Sequence, residues 1–179
     1  MDQSFSLQDL YEDRLETQRI TTRFLSRFDI EAWAAFFEND EAFQFLMKRD
    51  GQTNLELSEK WIKKQLQRYE SGTFGLQAII DRKSKQMVGQ CGLLLRKIDG
   101  KLEIEVGYHI IQKYWGMGYA PEAAKLFVDF ALENQLAQNV IAIIHEKNEK
   151  SIRVAEKIEM KLDRETEWMG ERVKVYKSL

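Results

Sequence analysis

Tyr108-His109-Ile110-Ile111-Gln112-Lys113-Tyr114-Trp115-Gly116-Met117-Gly118-Tyr119-Ala120-Pro121-Glu122 carries the end of an alternating apolar strand into a helix through a loop rich in free main-chain donors. Gly116 and Gly118 let the backbone approach a ligand with no Cβ in the way. Pro121, the only proline in the chain, suits the first turn of the helix it opens. The first amides of a helix have no intrahelical acceptor and carry the positive end of its dipole, so the run reads as a cradle for a phosphate or pyrophosphate. Glycines two apart also occur in plain strand-to-helix turns, and the spacing alone leaves both readings open. A dinucleotide-binding fingerprint asks for a third glycine where Tyr119 and Pro121 stand, and a P-loop asks for a Gly-Lys-Ser/Thr that is absent there.

Upstream of the loop, Lys101 to Ile111 reads as a strand on which Leu102, Ile104, Val106, Tyr108 and Ile110 alternate with Glu103, Glu105, Gly107, His109 and Ile111. The first set faces the core, and two acids and a histidine share the other face. Phe74 to Ile80 and Met87 to Leu95 are two earlier strands, with polar turns at 81–85 and at Asp99-Gly100, so three consecutive antiparallel strands lead into the loop. Arg19 to Phe24 is a first strand, and Ser26 with Asp29 has the form of a capping box before the helical spacing of Ile30, Trp33, Ala34 and Phe37. A loop from Glu38 to Leu57 combines Phe43, Phe45, Leu46 and Met47 with Glu38, Asp40, Glu41 and Asp50, which suits either a satellite of the core or a surface for a cationic amine. Ser58 opens a second helix that runs to Tyr69 and ends at Ser71-Gly72. Downstream, Pro121 to Leu136 is an amphipathic helix, Val140 to Ile144 a buried strand, Asn148 to Lys157 a last helix, and Met160 to Trp168 with Val173 to Tyr176 a closing hairpin around Met169-Gly170.

The chain has 179 residues, 44% of them hydrophobic, and no repeat or Pro/Gly linker, which predicts one domain over residues 1–179 with a core that needs no staples. A net charge of -2 provides no global basic field, so neither nucleic acid nor a membrane surface is expected as a partner. The single cysteine, Cys91, excludes an intramolecular disulfide and sits in an apolar strand as a core residue. No Cys or His spacing suggests a metal. With no apolar leader or membrane-length stretch, a cytoplasmic location is expected.

Trp115-Gly116-Met117-Gly118-Tyr119-Ala120 resembles the acyl-CoA pyrophosphate loop of the GNAT N-acetyltransferase superfamily, whose pattern is Gln/Arg-x-x-Gly-x-Gly/Ala. Trp115 replaces the usual Gln or Arg, as in the branch of Rim-type ribosomal-protein N-terminal acetyltransferases, where Glu-x-Gly-Tyr precedes Tyr-Trp-Gly-x-Gly-Tyr-Ala; here Glu105-Val106-Gly107-Tyr108 and Tyr114 to Ala120 stand in those places. Leu15-Glu16-Thr17-Gln18-Arg19-Ile20, Val88-Gly89-Gln90-Cys91-Gly92-Leu93 and Asn148-Glu149-Lys150-Ser151 extend the resemblance over nearly the whole chain.

The resemblance implies an α/β (α+β) fold: a mixed, mostly antiparallel sheet with splayed central strands, flanked by helices. It implies acetyl-CoA as co-substrate and direct transfer of the acetyl group to a primary amine. His109 and Ile110 would meet pantetheine at the end of the fourth strand, the amides of Gly116, Met117, Gly118, Tyr119 and Ala120 would hold pyrophosphate, and Asn148 would hydrogen-bond the pantetheine arm or cap its helix. An amine nucleophile is protonated at neutral pH, and Glu105 is the candidate base, with a structural ion pair as the alternative; Glu103 and His109 are lesser candidates. The tyrosine acid of many members falls at Ala155, and their Leu-Gly-Phe after the last helix becomes Ile158-Glu159-Met160. Protein N-termini, polyamines, amino acids and antibiotic amines all fit as acceptors. An acyl-CoA-binding regulatory module without turnover is the alternative from another class, and a monomer or a homodimer is expected.

Overall fold

Four apolar, β-branched runs separated by polar turns generate the centre of the molecule, a seven-stranded sheet in which β1 (Ile20–Phe24), β2 (Leu76–Asp81), β3 (Met87–Ile98) and β4 (Lys101–Ile110) follow one another antiparallel. The computed structural model describes residues 10–179, and residues 1–9 lie outside it. Beyond β4 come β5 (Ile141–His145), β7 (Glu171–Lys177) and β6 (Lys161–Trp168), in the order β1-β2-β3-β4-β5-β7-β6. Every neighbouring pair is antiparallel except β4 and β5, which run parallel and register at one pair alone, Glu105 with Ile141. The fold is therefore the mixed, mostly antiparallel α/β arrangement expected.

Helices cover both faces. On one side, α4 (Tyr119–Glu133) and α5 (Glu149–Lys157) bury Phe127, Ala131 and Ala155 against Cys91, Leu93, Val106 and Ile110. Cys91 is fully buried and its thiol is pushed up by that burial, as expected of a core residue. On the other side, α1 (Ile30–Ala34), α2 (Asp40–Phe43) and α3 (Asn54–Glu70) bury Trp33, Phe36, Phe37, Trp61 and Ile62 against Leu76, Ala78 and Leu94. The face of β4 that carries Glu103, Glu105 and His109 thus lies under this second core, because β4 is central and both its faces are covered.

Two boundaries differ from the sequence reading. The long helix opens at Asn54, where Thr53 accepts from the Glu56 amide and Glu56 accepts from the Thr53 amide, a box hidden inside the segment read as loop. Ser58, expected to open that helix, is instead buried within it and donates to the Ile30 carbonyl at 2.6 Å. The first helix is broken into short turns between Arg27 and Glu38; Asp29 does cap it with Ser26, and also takes both arms of Arg23 at 2.9 and 2.6 Å.

Tyr11 ties the entering chain to this sheet: its hydroxyl, in a ring 2% exposed, donates to the Gly75 carbonyl at 2.8 Å and accepts from the Leu93 amide at 3.0 Å. Removing the hydroxyl strands a buried carbonyl and a buried amide, so Tyr11→Phe is expected to destabilise the fold by about 1–3 kcal/mol, read from urea unfolding at pH 7.

Candidate functional site

The hydrogen-bond ladder says where main chain is free. The Ile111 amide pairs with the Val88 carbonyl at 3.0 Å, so by strand alternation the main chains of Tyr108 and Ile110 point the other way, toward β5. Strand β5 does not follow them: past Glu105 and Ile141 the two strands register no further pair. A gap opens between the C-terminal ends of β4 and β5, lined on one edge by main chain. The Ile110 carbonyl takes the indole N–H of Trp115 at 2.7 Å, and the Tyr108 hydroxyl crosses to the Ser151 carbonyl on α5 at 2.8 Å. His109 turns its own main chain back toward Gln90 of β3 and its ring toward Phe36 and Trp61, at centroid distances of 6.0 and 5.1 Å.

At the top of the gap the chain enters α4 through two left-handed glycines, Gly116 at φ +76° and Gly118 at φ +83°. A Cβ at Gly116 would meet nothing, so glycine there serves the turn; one at Gly118 would come within 3.3 Å of Arg19 Nη2. The amides of Gly116, Met117, Gly118, Tyr119 and Ala120 have no acceptor among the described residues, five successive donors at the N-terminus of a 15-residue helix. Gly116, Met117 and Gly118 border an open groove of about 680 Å³ that also touches Arg19, Glu122 and Lys157. This is a donor set that suits a phosphate-bearing group.

The loop is braced by residues that no motif in the sequence marked. Arg19, at the foot of β1, donates to the Met117 carbonyl at 2.9 Å and to Glu122 at 2.7 Å, and its guanidinium lies 4.9 Å from the Tyr119 ring centroid. Thr17 also bonds Glu122. The Tyr119 hydroxyl donates to Asp81 at 2.8 Å; the backbone amide and hydroxyl of Ser84, together with Tyr119, hold that carboxyl down at about 2. The opening Leu15-to-Ile20 run was the one hint, since it places Thr17 and Arg19 without saying what they hold.

Across the mouth of the gap lies the segment around α2. Phe45 stacks on His145 at the end of β5, with centroids 4.6 Å apart, and Glu41 pairs with Lys150 at 2.7 Å. The Lys150 ammonium in turn lies 4.2 Å from the Trp115 ring centroid. The acids read as a surface for a cationic amine are therefore engaged at two positions: Glu41 with Lys150, and Asp40 with Arg49 at 2.8 Å. Phe43 is buried.

Glu105 stands where β4 and β5 part. It is 7% exposed, its Oε2 accepts from Arg96 Nε at 2.6 Å, and its Oε1 has no partner among the described residues. Arg96 lies 5.2 Å from the Trp168 ring centroid, and Glu103 is held by Arg164 at 2.6 Å. Asn148 caps α5, its Oδ1 accepting from the Ser151 amide at 3.1 Å. Ala155 is fully buried and has no titratable group. Among the described residues no group of His, Cys, Asp and Glu is placed to hold a metal, and no helix is long and apolar enough to cross a membrane.

Residues 19–161 match the family model described as an acetyltransferase (GNAT) domain. YkkB of Bacillus subtilis, an uncharacterised protein, is 31% identical over 149 residues, which cover 82% of this chain and 84% of that one. An acetyltransferase from Agrobacterium tumefaciens superposes with a TM-score of 0.75 at 23% identity, covering 94% of this chain and 95% of that chain. RimL, a ribosomal α-N-protein acetyltransferase solved in complex with coenzyme A, superposes at 0.74 with 15% identity, covering 94% and 98%.

Burial, and then the charges of Arg96 and Arg68, push the His109 imidazole down to about 3. The unfolded chain takes up this proton as pH falls through about 6.5, long before the native state does, so stability present above that pH is lost progressively toward pH 3. His109→Gln is expected to flatten the acid limb by up to one proton's slope, at most about 1.4 kcal/mol per pH unit, in urea midpoints measured from pH 7 to pH 4.

Proposed function

The chain belongs to the GNAT acetyltransferase family, and from that premise we propose that it transfers the acetyl group of acetyl-CoA directly to a primary amine. The observation that carries the reading is the coincidence of two features: the main chain of β4 left open toward β5, and five free amides on the loop that begins where β4 ends. In this reading Gly116 to Ala120 hold the pyrophosphate, and the main chain of Tyr108 with the amide of Ile110 pairs with pantetheine, the Ile110 carbonyl being taken by the Trp115 indole. His109 orders that strand end from the aromatic side, and Asn148 faces the same arm with the amide nitrogen its cap leaves over.

Acetyl-CoA supplies the acyl group as a thioester, so the C–N bond to the amine forms as the C–S bond breaks. The residues of this chain position the partners and take the amine's surplus proton. In this reading Glu105 takes that proton, which is supported by Arg96 fixing one carboxylate oxygen and leaving the other open at the point where the strands part. With alanine at 155, proton return to the thiolate is left to solvent or to the amine itself.

Gly118→Glu puts bulk and a negative charge where loop amides meet pyrophosphate, at a backbone angle that disfavours any side chain. It is expected to weaken acetyl-CoA binding by about 100-fold or more in a protein whose circular dichroism is unchanged, and unchanged affinity in calorimetric titration would reject the loop assignment.

Glu105→Gln is expected to lower kcat by about 10²- to 10⁴-fold at pH 7 while leaving acetyl-CoA affinity intact. The deficit should shrink as pH rises and the acceptor amine loses its proton unaided. A variant with wild-type turnover at every pH would make the Arg96 pair purely structural.

A further inference from the structure

Helix α3 lays three cations along one line: Lys60, Lys64 and Arg68 recur at four-residue intervals and so share a face. Trp61 and Gln65, from the same helix, reach the sheet through Gln90 and the Leu76 amide, at 2.9 and 3.0 Å, which fixes how the helix lies on β2 and β3. A fourth cation, Arg96, rises from β3 beside them. No ion pair among the described residues includes Lys60, Lys64 or Arg68. The Arg68 guanidinium makes one side-chain hydrogen bond, to the neutral Gln65 Oε1 at 2.9 Å.

These cations crowd one another. Burial and then Arg96 pull the Arg68 guanidinium down to about 10, with Glu105 returning only part of the loss. Lys64 is lowered as well, by burial and then by Arg68, Arg96 and Lys60. Half-buried Arg68 and Arg96 therefore meet the buried Glu105 carboxylate, already bound to Arg96, in a crevice whose rim carries the exposed Lys60 and Lys64. Like charges held together around a half-buried crevice with a single counter-charge attract an anion.

The crevice belongs to the acceptor side of the sheet. Glu105 and Arg96 lie on the face covered by α3, opposite the layer of α4, so the phosphates of a group held by the α4 loop are on the other side of the strand. Trp168 closes the crevice from the β6–β7 hairpin by packing on Arg96. The contacts Phe45–His145 and Glu41–Lys150 cross the mouth of the gap and narrow the approach to it.

Resting on the acetyl-transfer reading, we infer that the acceptor is a small amine carrying its own carboxylate or phosphate a few bonds from the nitrogen, its anion held by Lys64, Arg68 and Arg96 and its amine presented to Glu105. Arg68 supplies a planar fork suited to either oxyanion, and Lys64 a point charge. The direct contact of Arg96 with Glu105 sets the short separation between the anion and the reacting nitrogen.

The test pairs acceptors that differ in the anion alone: phosphoethanolamine with ethanolamine, and an amino acid with its amide, followed by thiol release with acetyl-CoA. The anionic member of at least one pair is expected to lead by about tenfold or more in kcat/KM, and Lys64→Gln/Arg68→Gln to erase that lead through acceptor KM with acetyl-CoA KM unchanged. A second arm titrates inorganic phosphate into the wild-type protein and the double variant, with at least about tenfold weaker binding expected in the variant. Equal use of charged and neutral amines, transfer confined to acidic N-terminal peptides, or phosphate binding indifferent to the double substitution would each overturn the anion site. Variant-sensitive phosphate binding with no acetylation of any amine would keep the anion site and overturn the transfer reading instead.

Discussion

Among the described residues, strands β4 and β5 register at a single pair, Glu105 with Ile141, and the architecture of the site follows from it. Had β5 stayed in register with β4, its main chain would have consumed the donors and acceptors of Tyr108 and Ile110. Parting the strands in the middle of a sheet leaves polar main chain inside the protein with no ladder partner, a cost the surroundings must offset. They do so locally. The Trp115 indole takes the Ile110 carbonyl, and the Tyr108 hydroxyl spans to α5, so the β4 wall of the gap is tied to the loop that follows it and to the helix across the gap.

The loop above the gap is held by side chains from distant parts of the chain. Arg19 binds the Met117 carbonyl and Glu122, and Asp81 holds the Tyr119 hydroxyl. These contacts consume carbonyls and side chains while the amides of Gly116 to Ala120 stay free, so the loop is ordered without losing its donors. Rigid free amides are what electrostatic recognition of a phosphate requires, since no reorganisation is then needed on binding.

Strand β4 also separates two chemistries. Its Ile104, Val106 and Ile110 side chains pack into the α4 layer, beside the gap, whereas Glu105 and His109 face the layer of α3. The alternation of side chains along one strand thus puts the α4 layer and the basic crevice on opposite sides, with Glu105 at the point where the strands part.

Most elements and the family were legible in the sequence, because they rest on period-two strands, turn residues, two glycines before a proline, and motifs spread over nearly the whole chain. Where local signals competed, the sequence misled. Ser58 has the chemistry of a cap but lies inside a helix whose true cap, Thr53 with Glu56, was hidden in a segment that lacks periodicity. The acids of that segment look available in sequence, yet Asp40 and Glu41 meet Arg49 and Lys150 in space. By itself the sequence determined the strand order along the chain, the helix that follows β4 and the residues able to cradle an anion, since each depends on neighbours a few positions away. Only the tertiary structure decided where β5 leaves β4, which distant residues brace the loop, and that Arg68 and Arg96 come together beside Glu105. Those outcomes depend on distances between segments tens of residues apart, which no local pattern encodes.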